Sequence, residues 1–392
     1  MTLGALESLT VLSVMPLVAA DLDGLSLYGW VFGGFFVTSA VAIPVAAQII
    51  DRSGLRLPFA VGLGLFGGGL VVAGFAPSML VLVAGRLLQG LGAGTLSAVT
   101  YAAIAIAYSA RERPRMLALV STAWLVPAFA GPLLGSALAQ AAGWRWTFLG
   151  LAAFVPIAAI LVIPAVAGHD RRRTPAGPRR EPWPRSLIPP REIGRAAVLS
   201  MLGGSAIWGL LTFAPLAMTE VRGQTTFEAG LAVGVCSVAW IAASWAHQRL
   251  GHRIELGDAI RYGLAFITAA TLILVGVVVP AAPYLGILGG WVLVGLGCGV
   301  AFQAINLFVM GAAAPGAEGR ATSSVQLANT IGAAIGVSAL GVLFNAGRDG
   351  GLSLAMALLM VIGVCWAVLA LSTLFAWRMP RARDTQAGTA LA

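Results

Sequence analysis

The chain has 392 residues, of which 59% are hydrophobic and only 10% charged, and its mean hydropathy is +0.91. A water-soluble globular protein carries about 25% charged residues, so this composition excludes that class. All 24 basic residues are arginine, and the formal net charge is +9. Because these arginines flank apolar stretches, they indicate membrane orientation and argue against nucleic acid as a partner.

Twelve apolar stretches follow one another, each about long enough to cross a hydrocarbon core, which needs roughly 20 helical residues. The runs are continuous, whereas the strands of a membrane barrel would alternate polar and apolar residues over about ten positions. We therefore predict an all-α polytopic membrane protein. The predicted spans are residues 3–20, 27–50, 58–76, 79–105, 116–141, 146–168, 196–218, 229–247, 259–279, 284–312, 322–345 and 351–377.

The arginines are distributed unevenly between the loops. With both termini in the cytoplasm, only Arg145, Arg222 and Arg348 fall in outer loops, and Arg86 falls inside the fourth span. This bias predicts a multi-pass protein of a bacterial-type inner membrane with both termini cytoplasmic. A cleaved signal peptide is not expected, because no basic segment precedes the first span and Glu7 interrupts it.

One long polar segment, rich in arginine and proline, separates the first six spans from the last six. This composition is typical of a linker, and its arginines also suit anionic headgroups. We predict an N-terminal six-helix half (1–168), a cytoplasmic linker (169–195), a C-terminal six-helix half (196–377) and a cytoplasmic tail (378–392).

The first span contains Glu7, the only acidic residue well inside a predicted span. A charge at that depth costs about 2.5 to 3.5 kcal/mol on insertion scales, so it is normally kept only where it meets water or a partner. Arg86 is costly for the same reason and is always charged. We interpret Glu7 as a proton carrier. The alternatives are a glutamate that snorkels from a frayed helix end and an arginine that only satisfies helix carbonyls.

The loop after the second span reads Asp51-Arg52-Ser53-Gly54-Leu55-Arg56, and a related frame, Gln248-Arg249-Leu250-Gly251-His252-Arg253, follows the eighth span. Such repetition is expected of a transporter built from two parallel halves, with the substrate held between them. Three further segments carry characteristic spacing. They are Leu82-x3-Arg86-x2-Gln89-Gly90-x-Gly92, Gly131-Pro132-x2-Gly135 and Gly143-Trp144-Arg145-Trp146-x-Phe148.

Together these segments resemble the major facilitator superfamily, and within it the drug:proton antiporters, over essentially the whole chain. The match has departures. Ala47 stands where the loop motif has glycine, and Pro127 and Ser136 occupy flanking glycine positions of the fifth-span motif. In the first span, Leu6-Glu7 followed by Met15-Pro16 resembles the first-helix motif of drug exporters with Glu for Asp, but Leu9 and Ser13 replace its customary Thr and Asn.

The resemblance implies roles for these residues. The alternatives to the roles given next are a solvated loop charge at Asp51 and ordinary packing of small residues at the fifth-span glycines. The implied roles are a conformational switch at Asp51, Arg52, Gly54 and Arg56, a proton site at Glu7 and Arg86 with the helix 4 motif Gln89 and Gly90, and an antiporter seal at Gly131, Pro132 and Gly135.

Aromatic and amide side chains within the spans are candidates for a substrate pocket, since aromatic walls with few hydrogen-bonding groups suit lipophilic compounds and cations. Any single one of them could instead face lipid or the membrane interface. The candidates are Trp30, Phe35, Trp124, Trp208, Phe213, Trp240, Phe302, Gln303 and Asn306.

The sequence therefore predicts proton-coupled export of lipophilic drugs or metabolites by a protein that acts as a monomer among membrane lipids. No ATP-binding Walker A motif is possible without lysine, no metal or cofactor is expected, and no catalytic cluster indicates an enzyme. Export or flipping of an amphipathic lipid or endogenous metabolite remains an alternative on the same fold. A receptor or scaffold without transport is another.

Overall fold

The computed structural model describes residues 2–109, 112, 116, 119, 120, 122, 123, 125–170, 191–250, 254–313 and 318–378. Trp124 lies outside the described residues. Some side chains within the described helices, including those of Asp51 and Pro132, also lie outside this description.

The described residues are almost entirely helical, and the predicted all-α architecture of two six-helix halves is confirmed. Within the described residues, eleven helices or helix pairs are long and apolar enough to cross a bilayer, with α6 and α7 together forming one of them. The helices are α1 (Thr2–Asp21), α2 (Tyr28–Ser53), α3 (Arg56–Gly74), α4 (Met79–Ala107), α5 (Leu125–Ala142), α6 (Arg145–Ala152), α7 (Phe154–Asp170), α8 (Arg191–Glu220), α9 (Thr226–Leu250), α10 (Leu256–Leu274), α11 (Tyr284–Ala312), α12 (Glu318–Asp349) and α13 (Leu354–Ala376).

Local sequence explains where several helices begin and end. Gly54 follows α2 with a φ of 80°, a left-handed conformation that glycine adopts without strain. Ser353 caps α13 by accepting a hydrogen bond from the Met356 amide. The predicted sixth span is one continuous run, but the structure breaks it between α6 and α7. Pro156 lies in the first turn of α7, where proline is tolerated, and its ring would clash with the carbonyl of Ala152 in a continuous helix.

The two ends of the bundle are named here by their turns. The Asp21 end is where α1 ends and α2 begins, and the Ser53 end is where α2 ends and α3 begins. Polar side chains tie the loops at the Asp21 end: the Trp144 indole donates to Asp21 (2.8 Å), and Arg145 pairs with the same carboxylate (3.3 Å). In the other half Arg222 donates to three carbonyls that follow α10, those of Gly276, Val279 and Ala282.

Rows of glycine let helices pack closely in both halves. A Cβ at Gly94 of α4 would collide with the backbone of Ser39 on α2, and a Cβ at Gly299 of α11 would collide with the backbone of Trp240 on α9. Alternate glycines on α4 and α11 turn to their other neighbours, α3 and α10. Each central helix is therefore held on two sides by residues that have no side chain. The rows are Gly90, Gly92 and Gly94 in α4, and Gly295, Gly297 and Gly299 in α11.

Candidate functional site

The most unusual feature of the interior is a buried ion pair between α1 and α4. Glu7 is 0% exposed and Arg86 is 2% exposed, and Nη1 of Arg86 donates to Oε1 of Glu7. The second carboxylate oxygen, Oε2, accepts from the Ser8 hydroxyl at 3.3 Å. Two opposite charges so far from water are stable only as partners, because removal of either leaves the other buried and uncompensated.

Arg86 also contacts α2. Its Nε donates to the Val31 carbonyl at 3.2 Å, and its guanidinium carbon lies 4.4 Å from the centroid of the Phe35 ring. A cation above an aromatic face gains about 2 kcal/mol or more when the contact is desolvated. One side chain of α4 therefore binds α1 by charge and α2 by a hydrogen bond and a ring face.

Gln89 completes the polar cluster from the next turn of α4. Its Oε1 accepts from Nη1 of Arg86, and its side chain is fully buried. Among the described residues, Nε2 of Gln89 has no hydrogen-bond partner. A buried donor without a partner costs about 1 to 3 kcal/mol.

The glycines of the fifth-span motif pack on α1 beside this cluster. Thr10, one turn after Glu7, donates its hydroxyl to the Gly131 carbonyl at 3.0 Å. A Cβ at Gly131 would lie 3.0 Å from the Leu9 Cβ, and one at Gly135 would lie 2.8 Å from the Thr10 side chain. Helix α5 therefore lies directly against the helix that carries the buried carboxylate.

A seam joins the two halves at the Asp21 end. The Tyr28 hydroxyl donates to the Thr212 carbonyl of α8 at 3.1 Å, and the Asn345 amide of α12 donates to the Ser26 carbonyl at 2.6 Å. Between these bonds α2 and α12 cross backbone to backbone, since a Cβ on Gly29 would lie 2.6 Å from the Gly341 Cα. We refer to these contacts, with those of Gly33 to Ser338 and Phe36 to Trp208, as the seam.

The aromatic candidates for a substrate pocket divide into separate groups. Trp240 of α9 stacks on Phe302 of α11, with ring centroids 5.4 Å apart and planes inclined by 21°. Trp208 contacts Phe36 at 4.9 Å, and Phe213 packs in the seam at 5.8 Å from the Tyr28 ring. Among the described residues, no ring contact joins the Trp240–Phe302 pair to Trp208 or Phe213.

The remaining predicted residues take different positions. Trp30 is 46% exposed, whereas Gln303 and Asn306 are half-buried on α11. At the Ser53 end, Arg52 and Arg56 are exposed on either side of the turn at Gly54.

The seam contacts of Tyr28 and Asn345 and the bond of Thr10 to α5 were not predicted from the sequence. A tyrosine near the start of a span, such as Tyr28, has the pattern of an interfacial aromatic, so its bond to the other half gave no signal. Thr10 was not distinguishable from other small span residues. The spacing of Gly131 and Gly135 did indicate a close helix approach there.

A two-half bundle of apolar helices with the Glu7–Arg86 pair buried inside it is the architecture of a polytopic membrane protein. The family model of the Major Facilitator Superfamily matches residues 2–337, and the chain belongs to this superfamily.

Its relatives include efflux transporters. It is 29% identical to a probable multidrug-efflux transporter of Mycobacterium tuberculosis, over 91% of this chain and 88% of that protein. It is 22% identical to the multidrug transporter protein MdtP of Bacillus subtilis, over 90% of this chain and 74% of that protein.

Solved structures show the same fold. A bacterial homologue of the human lysosomal transporter Spinster, in an inward-facing and occupied conformation, superposes with a TM-score of 0.74 at 17% identity and covers 96% of this chain and 93% of that chain. The human organic anion transporter MFSD10 has a TM-score of 0.65 at 17% identity, over 96% and 97% of the two chains.

Proposed function

We propose that the protein is a secondary-active exporter that exchanges lipophilic drugs or metabolites, cationic or neutral, for protons by alternating access. The observation that carries the proposal is the Glu7–Arg86 pair, fully buried between α1 and α4. Intramembrane carboxylates of this kind typically serve proton transfer in transporters. The efflux transporters among the relatives support the direction of transport.

Proton binding at Glu7 would change the balance of the site. The charged carboxylate neutralises Arg86, whereas a protonated Glu7 offers the cation only a neutral acceptor, as Gln89 and the Val31 carbonyl do, beside the ring of Phe35. The two protonation states then favour different arrangements of the helices around Arg86. Such a difference is what couples an ion to a conformational equilibrium.

The arginine distribution supports a topology with both termini in the cytoplasm, which makes the Asp21 end extracytoplasmic. The closed seam at that end then corresponds to an inward-facing carrier, and an inward-facing structure is among its fold neighbours. In this arrangement the loop with Asp51, Arg52, Gly54 and Arg56 lies at the cytoplasmic face and acts as the switch. Gly131, Pro132 and Gly135 form the antiporter seal on α1. We keep the domain bounds 1–168, 169–195, 196–377 and 378–392 as part of the proposal.

We assign substrate contact to the half-buried side chains of the C-terminal half. Trp240 and Phe302 present a stacked aromatic wall, and Gln303 and Asn306 supply amide groups on the same helix as Phe302. Aromatic walls with few polar groups recognise lipophilic compounds by shape and ring contact. We propose that the carrier acts as a monomer in the cytoplasmic membrane.

The proposal is tested with Glu7→Gln in liposomes. Glutamine keeps the shape of the protonated side chain, so downhill substrate movement should persist, while a pH gradient should no longer drive accumulation. Glu7→Asp should retain coupling with a shifted pH optimum. If Glu7→Gln still concentrates substrate under a pH gradient, the proton travels by another group. A protein that moves neither substrate nor protons would be a receptor or scaffold.

A crevice favours a second candidate, export or flipping of an amphipathic lipid. It measures about 320 Å³, lies between α8, α12 and α13, and is almost entirely apolar. Two of its lining residues, Ile335 and Val364, are 61% and 41% exposed at mid-span, where the surroundings would be lipid tails. Acceleration of fluorescent phospholipid exchange between leaflets by the reconstituted protein, blocked by Ala339→Trp in the crevice, would support this candidate over drug export.

A further inference from the structure

Helix α2 has two faces with different partners. On the first face it is bound to α4: the Val31 carbonyl accepts from Arg86 Nε (3.2 Å), the Phe35 ring lies under the guanidinium (4.4 Å), and the Thr38 hydroxyl donates to the Leu87 carbonyl (2.9 Å). This face of α2 is therefore attached to the helix that carries the buried cation.

The second face of α2 forms the seam with the C-terminal half. Tyr28, Gly29, Gly33 and Phe36 follow one another at helical spacing and contact α8 and α12. The innermost of these contacts is between the rings of Phe36 and Trp208, whose centroids are 4.9 Å apart. A movement of α2 itself therefore changes its contacts on both faces, with α4 and at the seam.

One side chain connects the two faces. The Phe35 ring contacts the Arg86 guanidinium on its face and meets the Phe36 ring edge-on, at 5.5 Å between centroids and 83° between planes. The contacts therefore run without interruption from Glu7 through Arg86, Phe35 and Phe36 to Trp208 in the other half.

We propose that Phe35 is a positioning residue that transmits the charge state of the Glu7–Arg86 pair to the seam. The inference rests on the proposed binding of a proton at Glu7. Arg86 remains charged in either state, so a proton on Glu7 removes the ionic partner on α1 and leaves the attraction of the cation to α2 and α4. The Phe35 ring follows the guanidinium, and Phe36 shifts against Trp208.

The other charged groups around α1 leave Arg86 as the partner of Glu7. Of the helices packed on α1, α5 carries no acidic, basic or histidine side chain in its described range. Helix α8 carries such residues only near its ends, as does α9, with Glu228, His247 and Arg249. On α6, Arg145 pairs with Asp21 at the end of α1.

The test measures seam opening directly. Spin labels are placed at Asp23→Cys and Asp349→Cys, which are exposed on the two sides of the Asp21 end. The three native cysteines are buried and leave the introduced ones to react. Distances are recorded by pulsed electron resonance in lipid nanodiscs at acidic and alkaline pH, beside pH-driven and downhill transport. The wild-type distance should change by about 5 Å, the scale of one helical turn.

Phe35→Leu keeps an apolar side chain but removes the ring face, so most of the pH-dependent distance change should be lost. Phe35→Tyr retains the face and should restore the change. Phe66→Leu is the matched control, since Phe66 is also buried and lies on α3 in the same half. Phe36→Leu, which breaks the next ring contact, should lose the response as Phe35→Leu does and keeps the test decisive if the first variant misfolds.

Two failures are distinguishable. One failure is that Phe35→Leu and Phe36→Leu keep the full pH-dependent distance change while Glu7→Gln loses it. Phe35 then has only a packing role, and the inference is overturned while proton binding at Glu7 stands. The inference is also overturned if the distance between the spin labels in the wild-type protein does not change with pH while pH-driven transport still requires Glu7. If Glu7→Gln retains pH-driven accumulation, the proposed function fails first and the inference falls with it.

Discussion

The two halves of the protein use the same helix packing around different cores. In the N-terminal half Gly90 and Gly94 of α4 meet α2, and in the C-terminal half Gly295 and Gly299 of α11 meet α9. When these rows are matched, Arg86 of α4 corresponds to Trp291 of α11, which is also buried. The central helix of one half thus carries a cation where that of the other carries an indole.

The same correspondence holds for the first helix of each half. Gly131 packs on Leu9, and its counterpart Gly332 packs on Met201, which places Leu199 of α8 at the position of Glu7. Leu199 is fully buried. The repeat therefore has the same backbone contacts although Leu199 and Trp291 stand where the other half has Glu7 and Arg86, which indicates that this ion pair is not needed for the packing itself.

The largest effect is expected from removing one charge of the Glu7–Arg86 pair, which has no counterpart in the matching positions of the C-terminal half. Arg86→Met should lower the free energy of unfolding by about 3 to 5 kcal/mol, because Glu7 is left buried without a partner. The double variant Glu7→Leu/Arg86→Met makes this site apolar, as in the other half, and should recover most of that stability without regaining pH-driven transport. Thermal unfolding in detergent and liposome uptake are the two measurements. A double variant as unstable as the single one would contradict the comparison.

A milder change keeps the charge and alters its shape. Arg86→Lys should fold with nearly wild-type stability but lose most coupled transport, because an ammonium group cannot reach Glu7, Gln89 and Val31 together while lying on Phe35. Uptake driven by a pH gradient is compared with downhill uptake in the same vesicles. Full activity of this variant would reduce Arg86 to a generic cation.

The glycine rows should respond alike in the two halves. Gly90→Ala and Gly295→Ala each place a methyl group against neighbouring backbone, and each should cost about 1 to 3 kcal/mol of stability. Gly64→Ala and Gly289→Ala are matched controls, since nothing lies within 4 Å of a Cβ there. Melting temperatures of the four variants test this. A large difference between the first two would show that the rows are not equivalent.

The smallest change in stability is expected for Gly131→Ala, where α5 packs on the first helix of the N-terminal half. A Cβ at Gly131 meets the Leu9 side chain at 3.0 Å, whereas one at Gly332 meets the Met201 backbone. Gly131→Ala should therefore stay within about 1 kcal/mol of wild type, helped by the higher helix propensity of alanine. Gly332→Ala should be clearly less stable. Equal melting temperatures would mean that α1 against α5 is as tightly packed as α8 against α12.

Much of the fold follows from the sequence because spans of about 20 apolar residues have few alternatives in a membrane. The importance of Glu7 and Arg86 was predictable for a related reason, since charges in spans are costly and rare. The contacts of Arg86 with α2 were not predictable. A helix that is apolar all round gives no sign of which face turns inward, so Trp30 and Phe36 could not be distinguished, although Trp30 is exposed and Phe36 contacts Trp208.

The break in the sixth span and the hydrogen bonds across the seam were also not predicted, for two different reasons. The break between α6 and α7 coincides with Pro156 four residues after Ala152, a local steric cause that an apolar run does not reveal. The hydrogen bonds of Tyr28 and Asn345 across the seam depend on how the halves meet. No pattern within either half contains that information.

The crossing of Gly29 and Gly341 bears on the speed of opening. Interlocked side chains must change rotamers, or lift out of one another, before two helices can separate. At this crossing the surfaces are bare backbone, so the contact is close but smooth. The helices can roll or slide past each other there with no side chain in the way. The barrier at this point should therefore be low, and the lifetime of the closed seam should depend on the few polar bonds and ring contacts on either side of it.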